Sequence, residues 1–528
     1  MDEGSKPKSP LSPAIFRGPI EGGQTHPAPP QLTITPDPVQ FYLIDPGSGQ
    51  QTFLKTLEDD PHKFLGSILT HRNNPKDHLD FLKGKLTAKL QNLESTVVRG
   101  EYKLAVYSRY ILPAMRYYLT VHTVHQTHLD DLDMTSQRYL KTWLGIPNNG
   151  CTSLGIYSPY LLGIKPVSQV YLEGHLSAYV NSKLMADSDT KEALRCAEVR
   201  EGAWVRKSST IVQCQKIFCE MRDEEQCFIP TKENTSTFEA TLRVEKAKIK
   251  KVAKGKVAVL FEKKAVEAAE AVPFQGNLLT LLAEEQQDIT WQSLIFRVPR
   301  GLLAWGVRAC TNTLATPDNL RRWGHMVDSR CAMEGCNLPC TLGHLLNNCK
   351  EMLDRYKFRH DSVLNHILVR IMENKPAEME VYADLEGWRT GGGTVPPSLV
   401  VTGQIPDLVL VDRSSTPTKV ILLELTVPWD STKSFEDART RKEERYRRLS
   451  IDLKDAGYQA VNLPLEVGSR GVINQRNMGV LTSLVTMVGI RNLKHFRRSL
   501  GKVSLLGSYR VWLARRSQEW APGALIQP

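Results

Sequence analysis

The sequence predicts a multidomain chain: an α-rich N-terminal half, then a short Cys/His-rich segment, then a small α/β domain. Three observations carry this. Leu79, Leu82, Leu86, Leu90 and Leu93 recur at the spacing of a buried helix face. Cys331, Cys336, Cys340, His344 and Cys349 crowd into 19 residues. Beyond them, the runs Ile405–Asp412 and Lys419–Asp430 flank the turn residues Arg413-Ser-Ser-Thr-Pro-Thr418, which reads as a β-hairpin.

Bulk properties narrow the function classes. A length of 528 residues leads one to expect about three or four domains. Lys+Arg 68 against Asp+Glu 57 gives a net charge of +11, and a pI near 9.0 points to nucleic acid as the partner. No apolar run approaches the ~18 residues of a membrane span. The first ten residues are polar and lack the apolar core of a secretion signal, so an intracellular, reducing compartment is expected. There, ten cysteines are not a disulfide framework, and clustered ones are candidate metal ligands.

Residues 1–50, rich in Pro, Gly, Ser and Thr, are expected to be disordered. Residues 51–190 hold a helical region running from about Asp77 to Trp143. Within it, Tyr107–Leu119 mixes arginines with tyrosines: either a surface that stacks on bases or an amphipathic helix with buried rings. His122, His125 and His128 fall three apart, but no carboxylates or cysteines match them and no metal role is assigned. Residues 191–290 form a linker. In it, Arg243 to Lys264 holds nine basic residues against two acidic ones, a basic helical arm.

Residues 291–355 carry a helical segment and the cysteines. Read as C-x4-C-x7-H-x4-C, Cys331, Cys336, His344 and Cys349 supply the four N/S ligands of structural zinc, with Cys340 as the alternative to Cys336. Residues 356–475 contain the hairpin. Thr390-Gly-Gly-Gly-Thr394 before it reads as a flexible loop with no nucleotide role, and Glu466–Gly471 after it as a strand end and tight turn. Residues 476–528 read as a basic helical tail.

The hairpin fixes a chemistry. Asp407 and Glu424 sit in apolar runs, where a lone charge is costly. If Asp412 pairs with Lys419, Asp407 falls across from Glu424, since both pairs sum to the same number. Partners in an antiparallel pair lie roughly 4.5–5.5 Å apart. Two carboxylates that close repel unless a divalent cation joins them or one is protonated. The next segment, Ser434–Leu449, puts Ala438, Lys442, Arg445, Tyr446 and Leu449 on one helix face, which aims Lys442 back at the pair. Two metal-binding carboxylates and an ammonium suit phosphodiester hydrolysis.

The run from Trp291 to Gly471 resembles the C-terminal half of the polyprotein of LINE-like, non-LTR retrotransposons with a restriction-like endonuclease. The likeness rests on Thr313–Gly324, the Cys/His segment, Arg359-His-Asp361, Pro406-Asp407, Glu424-Leu-Thr-Val-Pro428, Lys442 with Tyr446, and Gly468-Ser-Arg-Gly471. Upstream, Lys63-Phe-Leu-Gly66 looks like the end of a reverse transcriptase palm, and Leu79–Gly163 is similar to the thumb. The resemblance implies a PD-(D/E)xK nuclease core, a small mixed sheet flanked by helices. In it Asp407 and Glu424 hold Mg²⁺ and Lys442 acts from the following helix, Thr426 standing where the ordinary pattern has its lysine. It also implies a nuclear protein whose zinc knuckle helps position nucleic acid, with Arg321, Arg322, Arg359, Arg441, Arg445, Tyr446 and Arg470 as contacts to a DNA target or element RNA. Two departures stand out. The palm with its paired aspartates is missing, so no polymerisation is expected; and Glu334 occupies the usual second cysteine position. The chain reads as a relic or fragment of such a polyprotein, as a non-catalytic nucleic-acid-binding protein, or as a truncated gene model.

Overall fold

Short apolar runs buried on both faces build the centre of a four-stranded sheet late in the chain, and helical periodicity builds nearly everything else in the second unit. The computed structural model describes residues 31–34, 41–44, 47–54, 62–64 and 67–69, and most of 75–520. Within that span 149–152, 186, 204–208, 224–234, 288–299, 326, 392 and 519 lie outside the description.

Residues 1–74 and 75–528 are two separate units. In the first, β1 (Gln31–Ile34), β2 (Phe41–Ile44) and β3 (Gln51–Leu54) pair antiparallel, and β4 (His62–Phe64) pairs with β5 (Ser67–Leu69). Part of the segment expected to be disordered thus forms strands; residues 1–30 lie outside the described residues. So do Leu65 and Gly66 of the palm-like motif.

The second unit opens with α1 (Pro75–Glu94), α2 (Gly100–Val106), a π-turn (Tyr107–Ile111), α3 (Leu112–Val121) and α4 (Gln126–Leu144). Leu82, Leu86 and Leu90 are fully buried, as their spacing predicts. Tyr107 is buried as well, whereas Tyr110, Tyr117 and Arg109 face outward, so both readings of that stretch hold for part of it. The three histidines do not share a helix: His122 and His125 lie between α3 and α4, and only His128 is inside α4. The His122 ring bonds the Tyr118 carbonyl at 2.7 Å.

Next come α5 (Leu154–Tyr157), α6 (Val167–Leu184), α7 (Ser188–Ala203), α8 (Thr210–Asp223), the 36-residue α9 (Thr235–Glu270), α10 (Pro273–Glu284), α11 (Arg300–Cys310) and α12 (Pro317–Arg322). The expected basic arm is therefore no free arm. Ile249, Ala253 and Val257 of α9 bury a stripe in one core with α6 and α8, and Lys251 and Lys254 face outward.

The remaining elements are α13 (Leu353–Asn374), β6 (Met379–Ala383), β7 (Leu408–Asp412), β8 (Lys419–Thr426), α14 (Thr432–Asp455), β9 (Gln459–Glu466), α15 (Gln475–Val488) and α16 (Leu493–Leu513). The sheet order is β6-β7-β8-β9; the first two pairings are antiparallel and β8–β9 is parallel, with α14 as the crossover. Leu408, Leu410, Ile421, Leu423 and Leu465 share a core with Leu364, Leu481 and Leu500 of α13, α15 and α16. Val409, Val411, Val420 and Leu422 on the opposite face pack against Tyr446, Leu449 and Leu453 of α14. Each such side chain, once buried, contributes about 1.5–3 kcal/mol.

A third core runs from Leu86 and Leu140 through Leu345 and Cys349 to Trp512, so the first helices, the cysteine segment and the last helix share one interior. The Gly-rich loop is a tight turn closed by Thr390–Gly393 hydrogen bonds, and the Thr394 hydroxyl donates to the Pro406 carbonyl at 2.7 Å. That anchors the approach to Asp407.

After β9 the Gly468–Gly471 turn wraps around Asp430. The Asp430 carboxylate accepts from the main-chain N–H groups of Arg470 (2.8 Å) and Val472 (3.1 Å), the Ser469 hydroxyl (3.1 Å) and the Arg470 guanidinium (3.2 Å). Glycine at 468 is required, because a Cβ there would lie 2.0 Å from Asp430 Oδ1. Asp430→Ala strands a buried guanidinium and should lower unfolding free energy by about 3–5 kcal/mol in urea titration. A loss under about 1 kcal/mol would show that this turn is not a structural anchor.

Candidate active site and metal centre

The hairpin register is the predicted one: Asp412 pairs with Lys419 and Leu408 with Leu423, so Asp407 and Glu424 are the next pair. Asp407 lies one residue before β7, and its N–H donates to Glu424 Oε1 at 3.3 Å. The Leu425 N–H donates back to Asp407 Oδ2 at 2.8 Å. Both residues are buried, Glu424 fully.

Lys442 closes the site from α14. Its Nζ is 2.9 Å from Asp407 Oδ2 and 2.8 Å from Glu424 Oε2. The Ser431 side chain caps α14 on the Ser434 N–H, and Phe435, Ala438, Tyr446 and Leu449 bury its apolar face, so the lysine's direction is set by packing. One turn earlier, Arg439 pairs with the buried Glu466 at 2.8 Å. The same helix therefore sets two cations against three buried carboxyl groups, on two strands and the residue preceding a third.

The electrostatics split the two acids. Burial acts upward on Asp407, but His360 and Lys442 outweigh it and hold its carboxyl below the usual range. Burial and the neighbouring Asp407 charge push Glu424 up, against the pull of Lys442. For Lys442, burial acts downward, but the two carboxylates win and keep the ammonium charged.

His360 is the site residue that sequence reasoning missed. Its Nε2 lies 3.5 Å from Asp407 Oδ2, and its Nδ1 is 3.1 Å from Asp361 Oδ1. Burial would lower its pKa, but the hydrogen bonds to Asp361 and Asp407 raise it to about 9. The His360-Asp361 dipeptide is the signal in the sequence that points to it.

Among the expected nucleic-acid contacts, Arg359, Tyr446 and Arg470 need correction. All three are buried. Arg359 donates to Ser508 Oγ (3.0 Å) and the Val427 carbonyl (3.3 Å), with Gly507 making room for its stem. Tyr446 donates to the Ile405 carbonyl at 2.8 Å. Arg470 stacks on Trp429 at 3.8 Å and bonds Asp430. They shape the fold and reach no external phosphate. Arg321, Arg322, Arg441 and Arg445 are exposed; Arg322 pairs with Asp318 at 3.0 Å, and Arg441 and Arg445 lie on the helix that carries Lys442.

The cysteine segment forms a second cluster. A two-stranded bridge, Arg330 with Pro339, brings Cys331 near a turn in which Gly335 adopts φ 82° and presents Cys336. A π-turn over His344–Asn348 supplies His344 and leads into Cys349. Ligand atoms of Cys331, Cys336, His344 and Cys349 all lie within 4.8 Å of one another. Of the two candidates for second ligand, Cys336 joins the group, and Glu334 in the usual position is exposed. Cys331 Sγ and Cys349 Sγ are 3.9 Å apart, and Cys336 Sγ is 3.4 Å from His344 Nε2. Bonds of ~2.3 Å to sulfur and ~2.0 Å to nitrogen in a tetrahedron imply roughly 3.8 and 3.5 Å, so the donors fit a zinc ion. Burial pushes the Cys349 thiol up to about 12, and a cation is what would make thiolates affordable there.

No family model matches this chain, and no curated protein matches it. No helix among the described residues is long and apolar enough to cross a membrane.

The purified chain should hold about one zinc ion by elemental analysis, as should Cys340→Ser, while Cys336→Ser and His344→Ala fall well below that. Full zinc in Cys336→Ser would transfer the ligand role to Cys340.

Proposed function

We propose that this chain is a retrotransposon-derived, Mg²⁺-dependent DNA endonuclease of the PD-(D/E)xK class that nicks one strand of its target. It acts in the nucleus on DNA, with element RNA as a second partner. Its thumb-like helices and zinc knuckle bind nucleic acid. The observation that carries this reading is Lys442 Nζ within 2.9 Å of both Asp407 and Glu424, a cation and two buried carboxylates drawn from three consecutive segments.

The donor set fits a hard divalent cation: two carboxylates on adjacent strands, one pushed up by burial and by its neighbour's charge, which such an ion would relieve. Asp407 and Glu424 would hold Mg²⁺, whose chemistry is to activate water and polarise the phosphate. Asp407 Oδ2 is already committed to the Leu425 N–H and Lys442, which fixes the carboxylate's orientation. Lys442, charged and held on a capped helix, offers its ammonium to negative charge growing on the phosphate. His360 borders Asp407 from α13 and is a quarter exposed, so it faces the approach to the pair.

One observation favours a second reading. The Lys442 ammonium already bonds both carboxylates, an arrangement that would also suit a protein that binds nucleic acid without cutting it.

With Mg²⁺, the chain should convert supercoiled plasmid to open circles. Asp407→Ala should abolish this, and Lys442→Met should slow it by at least ~10²-fold. Equal nicking by Asp407→Ala would refute the assignment, and salt-sensitive DNA binding with no nicking at all would favour the second reading.

A further inference from the structure

The pairing of β6 with β7 sets a third acid beside the carboxylate pair. Tyr382, Val409 and Leu422 form one row across β6, β7 and β8, and all three pack in the core under α14. Side chains two residues apart on a strand share a face, so the next row on that side is Asp384, Asp407 and Glu424. The Asp384 N–H donates to the Asp407 carbonyl at 2.9 Å, which fixes the row. Lys442 bonds the last two of these acids, whereas Asp384 pairs with the Arg389 guanidinium at 2.6 Å.

Arg389 stands on a loop tied down at both ends. Residues 384–394 leave β6 with the Asp384 N–H on the Asp407 carbonyl and return with the Thr394 hydroxyl on the Pro406 carbonyl. Between these anchors, Trp388 bonds the main chain of Ala383 and Leu385 and packs on the leucine-rich core. The Thr390–Gly393 turn closes directly after Arg389, the one cation of the loop. Its side chain is 53% exposed, and an ion pair so open to water adds little to stability. A guanidinium carries five N–H donors in a planar fork, and one carboxylate leaves part of that fork open to an anion. A polyanionic strand brought up to three acids needs such a cation at their edge.

We infer that Arg389 binds a phosphate of the DNA strand laid across Asp407 and Glu424, donating to the non-bridging oxygens of the phosphate next to the one cut. Asp384 is a positioning residue that holds the guanidinium at that rim. The inference rests on the reading of the carboxylate centre as a DNA site.

The test uses the full chain, its Arg389→Ala, Arg389→Lys and Asp384→Asn variants, and a fluorescein-labelled DNA duplex with Ca²⁺ in place of Mg²⁺ for binding. Affinity measured across KCl concentrations should show a salt slope smaller by about 0.9 in Arg389→Ala, one duplex phosphate contact, and unchanged in the other two variants. In plasmid nicking with Mg²⁺, all three should raise KM more than they lower kcat, because Arg389→Lys keeps the charge without the fork and Asp384→Asn keeps the fork without its hold. In the unsubstituted chain the duplex should protect Arg389 from phenylglyoxal, read by mass spectrometry, which no folding defect of a variant can mimic. An unchanged slope in Arg389→Ala, or an Arg389 modified equally with and without DNA, would overturn the contact. A KM in Asp384→Asn equal to that of the unsubstituted chain would overturn the positioning role. Nicking with Arg389 unprotected removes this contact alone, whereas protection and a smaller slope in a chain that does not nick keep it and remove the nuclease.

Discussion

One ammonium shared by two buried carboxylates is the constraint on which the C-terminal half depends. Lys442 can reach Asp407 and Glu424 together only if three conditions hold at once. The hairpin must keep its register, α14 must start at Ser431, and the Tyr446–Leu449 face must dock on Val409 and Leu422. A slip of one residue in the hairpin would turn Glu424 into the opposite, leucine-rich core. Removing one member of such a trio leaves the others buried and unbalanced, at a cost of several kcal/mol. The site and the fold of the sheet are therefore the same problem solved once.

The rest of the second unit holds that arrangement from outside. Asp430 locks the turn after β9 to the start of α14, and Arg470 extends the lock to the Ala309 carbonyl of α11. Arg359 ties α13 to α16 and to the strand end at Val427. Asn347, inside the cysteine segment, donates to the same Val427 carbonyl at 2.8 Å, so the Cys/His segment is tied to the end of β8, the strand that carries Glu424.

Much of this was legible in the sequence where a period or a sum constrained it. The pairing of Asp412 with Lys419 fixed where Asp407 and Glu424 would meet, and i, i+4 spacing placed Lys442 on the inward face. Spacing could not choose between Cys336 and Cys340, because that choice turns on the left-handed backbone at Gly335. Arg359, Arg470 and Tyr446 were read as nucleic-acid contacts because residue type alone does not reveal burial; carbonyls, Asp430 and an aromatic ring satisfy them internally. His360 escaped for the converse reason: its partner Asp407 lies 47 positions along the chain, and helical spacing says nothing of such a contact. The basic stretch of α9 hid an apolar stripe at Ile249, Ala253 and Val257 that charge counting overlooks.

The central claim is that the acidic pair takes a divalent cation in the place where Lys442 now bridges it. The most direct measurement is an anomalous difference map from crystals of the chain grown with Mn²⁺. The account predicts a peak about 2.2 Å from oxygens of both Asp407 and Glu424, with the Lys442 ammonium displaced towards the opening lined by His360. A map with no density between the two carboxylates, and Lys442 still bonded to both, would contradict it.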